Sequence, residues 1–198
     1  MKFDTLVSHV EQRLIEHHKL YDSICKAEYW EENFCWALKK SGFGSDWKPD
    51  FSHKIGEDQK TIFNNISISN KSGTYHIKLD LISISGSRLT KHKTIEEKLI
   101  FLSEKKEDYI ACLATNKDQW KLGIRKYYFA IVNSDKLNYS DQIWEETYGC
   151  RGDNQGKLTG WKCTSESFCA KIIRSNSDQL WTDINLSTFE EIYEIEIK

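Results

Sequence analysis

The chain has 198 residues, 39% of them hydrophobic and 13% aromatic, enough to bury a sizeable core within one domain, and no apolar run approaches the roughly 18 residues that a membrane helix needs. A formal net charge of -2 gives no overall attraction to a polyanion, so any nucleic-acid contact has to come from a local basic patch or from bound divalent cations. Six cysteines with no CxxC and no Cys/His ligand spacing argue against zinc and read as free thiols; with no signal peptide after Met-Lys-Phe-Asp, the expectation is a cytoplasmic protein with no membrane partner.

Asp4 to Tyr21 places Leu6, Val7, Val10, Leu14, His17 and Tyr21 at helical spacing, which predicts an amphipathic helix on which His17 and His18 are partly exposed rather than ligands. A second helix is predicted over Ser23 to Lys40, with Ile24, Ala27, Phe34, Cys35 and Leu38 as its apolar stripe and Glu31 in the middle of it. A carboxylate on a core-facing stripe needs a reason: it reaches an Arg or Lys, lies at the open end of the stripe, or faces a metal site. Ser41-Gly42-Phe43-Gly44 ends that helix. Pro49, the single proline, reads as the first residue of a strand and puts Asp50 at the strand start.

Glu57 to Lys60 reads as a polar hairpin loop, and Asn65 to Lys71 alternates apolar and polar residues with period two. Ser72-Gly73 is the expected turn into a second strand, Tyr75 to Ser85, whose polar face holds Lys78, Asp80 and Ser83. Asp50 and Lys71 would then point at one spot from neighbouring strands. Gly86 to Lys93 is a basic, hydroxyl-rich link: five Lys or Arg stand against the single Asp80 between Lys71 and Lys93, and the hydroxyls and cations of Ser85, Ser87, Arg88, Thr90, Lys91 and Lys93 suit contacts to nucleic-acid phosphates and bases, a solvated loop being the other reading. Thr94-Ile95-Glu96-Glu97 is a capping box for a helix to about Lys106, with Ile95, Leu99 and Leu102 inward and its N-terminus facing the basic link, where the dipole favours a phosphate. Tyr109 to Thr115 is a buried strand and Trp120 to Val132 a further one; Asn133 to Gly160 is loop-rich, and Ser167 to Arg174 with Gln179 to Ile184 forms a hairpin around Ser175 to Asp178.

Pro49-Asp50 followed by a short strand ending in Ser69-Asn70-Lys71, preceded by a helix and followed by strand, helix and strand, resembles the PD-(D/E)XK nuclease superfamily, whose best-populated branch is the type II restriction endonucleases. The slot usually filled by Asp or Glu holds Ser69. The resemblance implies an α/β fold with a restriction-endonuclease-like core, a central mixed β-sheet flanked by helices and a β-rich C-terminal extension: N-terminal helices over 1–45, a catalytic core over 46–132, and a loop and hairpin extension over 133–198 for specificity or dimer contacts. It further implies that Asp50 and Glu31, with Glu28 one turn earlier as the substitute, hold Mg²⁺, that Ser69 occupies the acidic slot, and that Lys71 orients the attacking water and stabilises the charge developing on phosphorus. The partners it implies are double-stranded DNA and a second copy of the chain, matching a short palindrome. A repair-type nuclease on the same fold and a non-catalytic DNA-binding module are the alternatives. No Ser-His-Asp order, P-loop, HNH or H-E-x-x-H pattern competes.

Overall fold

A computed structural model describes residues 3–47, 59–62, 64–104 and 107–197. Leu6, Val10 and Leu14 recur every fourth residue, and the helix they specify, α1 (Phe3–Leu20), lays them against α2 (Ala27–Lys40), whose buried stripe is Trp30, Phe34, Ala37 and Leu38. α2 begins at Ala27 rather than Ser23; the segment before it is tied to β5, the Cys25 amide donating to the Tyr127 hydroxyl at 2.8 Å. Trp30 and Ala37, absent from the expected stripe, are fully buried and move its centre. Trp30 and Phe34 lie at its centre, and Glu31 is half-buried on its flank, not in its middle as the sequence predicts.

Ten strands, counted among the described residues, form one sheet: β1 (Gln59–Lys60), β2 (Ser67–His76), β3 (Leu81–Arg88), β4 (Tyr109–Thr115), β5 (Lys126–Asn133), β6 (Glu145–Tyr148), β7 (Leu158–Thr164), β8 (Phe168–Ile173), β9 (Gln179–Asn185) and β10 (Glu191–Glu196). Two further helices, α3 (Ile95–Ser103) and α4 (Lys117–Lys121), lie between strands. The spatial order is β10-β5-β4-β2-β3-β9-β8-β7-β6, with β1 beside the start of β2. Every pairing is antiparallel except β2 with β4, which is parallel and is reached through β3 and α3. The chain is thus an α/β protein with a central mixed sheet flanked by helices.

Each face of the sheet carries its own apolar cluster. On one face α1 and α2 cover Ile68, Ala111, Leu113, Tyr127, Phe129 and Ile195, and Trp30 Nε1 reaches the Ala111 carbonyl at 3.3 Å. On the other, Ile82, Ile84, Ile110, Cys112, Ala130, Leu180 and Ile184 pack with Leu102 of α3. A strand alternates its side chains, so β4 feeds Ala111 and Leu113 to the first cluster and Ile110 and Cys112 to the second.

Several sequence expectations are corrected here. Ser72-Gly73 is no turn but the middle of β2; a Cβ on Gly73 would stand 3.0 Å from the Ser83 carbonyl oxygen and 3.1 Å from Cys112 Sγ, so the glycine serves close strand packing. The turn comes later, at Ile77 to Asp80, with Asp80 at φ 55°, and the continuous strand expected from Tyr75 to Ser85 is two. Asp80 therefore caps a hairpin and does not line a strand face. Gln59–Lys60, expected in a loop, is β1. Trp120 belongs to α4, which Asn116 starts by accepting from the amides of Asp118 and Gln119 at 3.1 and 3.0 Å, and the strand begins only at Lys126. The stretch expected to be loop-rich, Asn133 to Gly160, holds β6 and the start of β7, and the C-terminal strands do not stand apart, because β9 pairs with β3 and β10 with β5. The α3 capping box, the buried β4 and the β8–β9 hairpin form as expected.

Candidate active site

The hairpin of β2 and β3 is hydrogen-bonded from Gly73 to His76 against Leu81 to Ile84, and no pairing between the two continues upstream of Gly73 among the described residues. There the strands part. β2 stays with β4 through residues 68–74, β1 joins it at Ser67 and Ile68, and β3 goes with β9. Ser69 to Ser72 form one prong of this fork and Ser85 to Arg88 the other; Arg88 stands opposite Gln179, whose side chain faces away from the cluster that Leu180 and Ile184 join, so Arg88 projects from the other face of the sheet than Lys71.

Ser69 pairs with Ile110 and Lys71 with Cys112, so both project to the α3 side of the sheet. Ser69 is fully buried and Lys71 partly so. The neighbourhood of Lys71 shows in the Cys112 thiol, which burial pushes up to about 12 while the nearby ammonium charge pulls the other way. Glu31 rides on α2, which packs against the opposite side of β2, that of Ile68 and Asn70. Glu31 and Lys71 thus belong to opposite sides of the sheet. Between Ser69 and Ser72 the only described neighbour of β2 is β4.

Asp50 and Pro49 lie outside the described residues, and of Glu28 only the helical backbone is described. Among the described residues no group of three or more His, Cys, Asp or Glu could hold a metal ion. Glu31 is therefore the one expected ligand among them, and the described residues do not make a metal centre by themselves.

On the second prong, Gly86 to Arg88 are strand and not link, Ser85 faces Trp181 across the β3–β9 ladder, and Leu89 is a core residue with no exposure. Arg88, Thr90, Lys91 and Lys93 are exposed, and Ser85 and Ser87 partly so. The N-terminus of α3 is closed by its capping box: Thr94 Oγ1 accepts from the Glu97 amide at 3.2 Å, and Glu97 Oε2 accepts from the Thr94 amide at 3.5 Å and also from the Lys93 amide at 2.6 Å.

A buried charge the expectations omit is Lys98. It has no solvent exposure, and its Nζ donates to the Leu89 carbonyl at 3.2 Å and to the His92 carbonyl and pairs with Asp178 Oδ2 at 3.1 Å. The signal was available, since Lys98 falls in the stripe of Ile95, Leu99 and Leu102, the same anomaly that singled out Glu31. A separate cleft of about 910 Å³ opens at the start of β4, lined by Asn64, Ser103, Asp108, Ser134 and Tyr139 among others. Of the three acids that line it, Glu107, Asp108 and Asp135, Asp108 accepts from the Ser67 amide at 2.7 Å and hydroxyl at 3.0 Å, which staples β2 to the segment entering β4. No family model, curated protein or solved structure matches the chain.

Proposed function

We propose that the protein is a Mg²⁺-dependent, sequence-specific double-stranded DNA endonuclease of the type II restriction kind, built on a restriction-endonuclease-like core and acting as a homodimer. The observation that carries this reading is the fork, one prong of which carries Ser69 and Lys71 and the other Arg88, followed by its exposed cationic neighbours. Asp50 and Glu31 are the proposed ligands, and the metal supplies a polarised phosphate and a bound water of lowered pKa. Lys71 holds its ammonium toward the attacked phosphate, where a compact cation offsets the charge that grows in the transition state. The fully buried Ser69 keeps the acidic slot uncharged, which leaves ligation to Asp50 and Glu31.

A second reading has one observation in its favour, the same Ser69: with a hydroxyl where a carboxylate is usual, the chain could bind DNA without cutting it, or act in repair without palindrome specificity. Incubating wild type, Asp50→Ala and Lys71→Ala with a duplex and Mg²⁺ separates a nuclease from a binding module, and cleavage at a defined palindrome separates the restriction kind from the repair kind. Cleavage by wild type alone supports the nuclease, and tight binding without cleavage by any of the three supports the binding module.

A further inference from the structure

The β3–β9 ladder is irregular between Ser85 and Arg88 and resumes with Arg88 directly opposite Gln179. Gln179 Oε1 accepts from Asn176 Nδ2 at 2.9 Å, so an arginine and two carboxamides follow one another across the sheet end. Asn176 closes the 3₁₀ turn Arg174–Asn176, and the two residues after it, Ser177 and Asp178, stand at φ 56° and 47°.

Lys98 fastens this turn to the loop that follows Arg88. Its ammonium hydrogens meet the carbonyls of Leu89 and His92 and the Asp178 carboxylate, and it lies 5.6 Å from the Trp161 ring centre. The Leu89 amide donates to the Asp178 carbonyl at 3.1 Å, and the His92 ring stacks on Phe101 at 4.6 Å. A lysine has three donors, and a buried one is tolerated only when they are spoken for, so this clamp is closed and the two loops form one body. Its acid, Asp178, is turned inward to Lys98, while Arg88, Lys91, Lys93, Arg174 and Asn176 are exposed.

We propose that the turn Arg174–Asp178 is a second base-reading element of this protein, fused to the Arg88–Lys93 loop, with Asn176 and Gln179 as specificity-determining residues for duplex DNA and Lys98 as the positioning residue that fixes the two loops in one register. The proposal rests on the nuclease reading and extends it into the C-terminal strands. Its chemistry is that of the major groove, where a guanidinium forks onto guanine O6 and N7 and a carboxamide onto adenine N6 and N7. In the Asn176–Gln179 pair, Oδ1 remains as an acceptor and Nε2 as a donor, the two functions an adenine edge requires. Neighbouring strands are about 4.8 Å apart, close enough to the spacing of stacked bases for Arg88 and Gln179 to address adjacent base pairs. Arg174, like Lys91 and Lys93, is placed for phosphate.

The test selects a randomised duplex pool on the full-length protein in Ca²⁺ without Mg²⁺, then compares wild type with Asn176→Ala/Gln179→Ala and with Lys98→Met, each at a temperature where melting shows it folded. Enrichment of a defined motif by wild type, with the double variant losing about tenfold of its preference at one position and keeping the rest, supports the proposal. Folded Lys98→Met should lose preference at that position and at the one read by Arg88 together, which loss of stability alone does not produce. A motif unchanged in the double variant overturns the second reading element and leaves the nuclease reading standing. Failure of wild type to bind any duplex overturns the nuclease reading itself, and this inference with it.

Discussion

Lys71 and Ser69 leave β2 on the side of Ile110 and Cys112, and whether Lys71 is a working cation or a structural one is decided by what its loss does. Lys71→Ala should cut the cleavage rate by about a hundredfold or more, as loss of a preorganised charge at the reacting phosphate does, while leaving the melting temperature near that of wild type. A variant that melts early and cleaves normally per folded molecule would make Lys71 structural. Glu31 is separable in the same way: Glu31→Gln keeps the size and loses the charge, so it should weaken Mg²⁺-dependent cleavage more than folding, seen as a raised Mg²⁺ requirement. His18 makes a pH prediction. Its Nδ1 lies 2.9 Å from the Tyr21 carbonyl and its Nε2 2.8 Å from the Tyr127 hydroxyl, and burial holds its pKa below the usual 6.5. The unfolded chain therefore takes up the proton first, so this contribution is whole above pH 6.5 and is lost as the pH falls from there toward the folded value. Melting temperature should drop as the pH falls below 6.5, and His18→Gln should flatten that slope; equal slopes in the two proteins would refute it.

At the scale of elements, sequence periodicity found α1, α3, β4 and the β8–β9 hairpin because each is set by local chemistry: an unbroken stripe, a capping box, a short apolar run, a polar turn between alternating strands. It failed where the determinant was a neighbour. Ser72-Gly73 has the composition of a turn, yet what fixes the glycine is the Ser83 carbonyl and the Cys112 sulfur 3.0 and 3.1 Å from where its Cβ would be. Gly73→Ala should therefore cost about 1–3 kcal/mol by overpacking, measured by denaturant midpoint, because backbone cannot step aside as a side chain would. A neutral Gly73→Ala would mean that β2 and β3 can spread. Of the candidate site, Ser69, Lys71 and Arg88 were legible as residue types; their placement on the two prongs of a fork was not, because it depends on β2 and β3 parting beyond Ile84 while each keeps its other neighbour, β4 and β9. Lys98 was legible as an anomaly in a stripe, but its partner Asp178 lies 80 residues away in the chain.

For the whole molecule, one sheet runs from β10 to β6, so the C-terminal strands that carry Asn176 and Gln179 share a framework with the fork. Both edges are lined with acids, Glu145 and Glu146 on β6 and Glu191, Glu194 and Glu196 on β10, a pattern that blunts strand-to-strand addition, so a dimer should form through another surface. The proposed twofold dimer would place one fork on each DNA strand and match protein symmetry to a palindrome. The most direct measurement is to incubate the protein with a long natural DNA and Mg²⁺ and resolve the products by length. Discrete bands that vanish with EDTA, with Asp50→Ala and with Lys71→Ala are the predicted result; intact DNA, or a smear of every length that persists in both variants, would contradict the account.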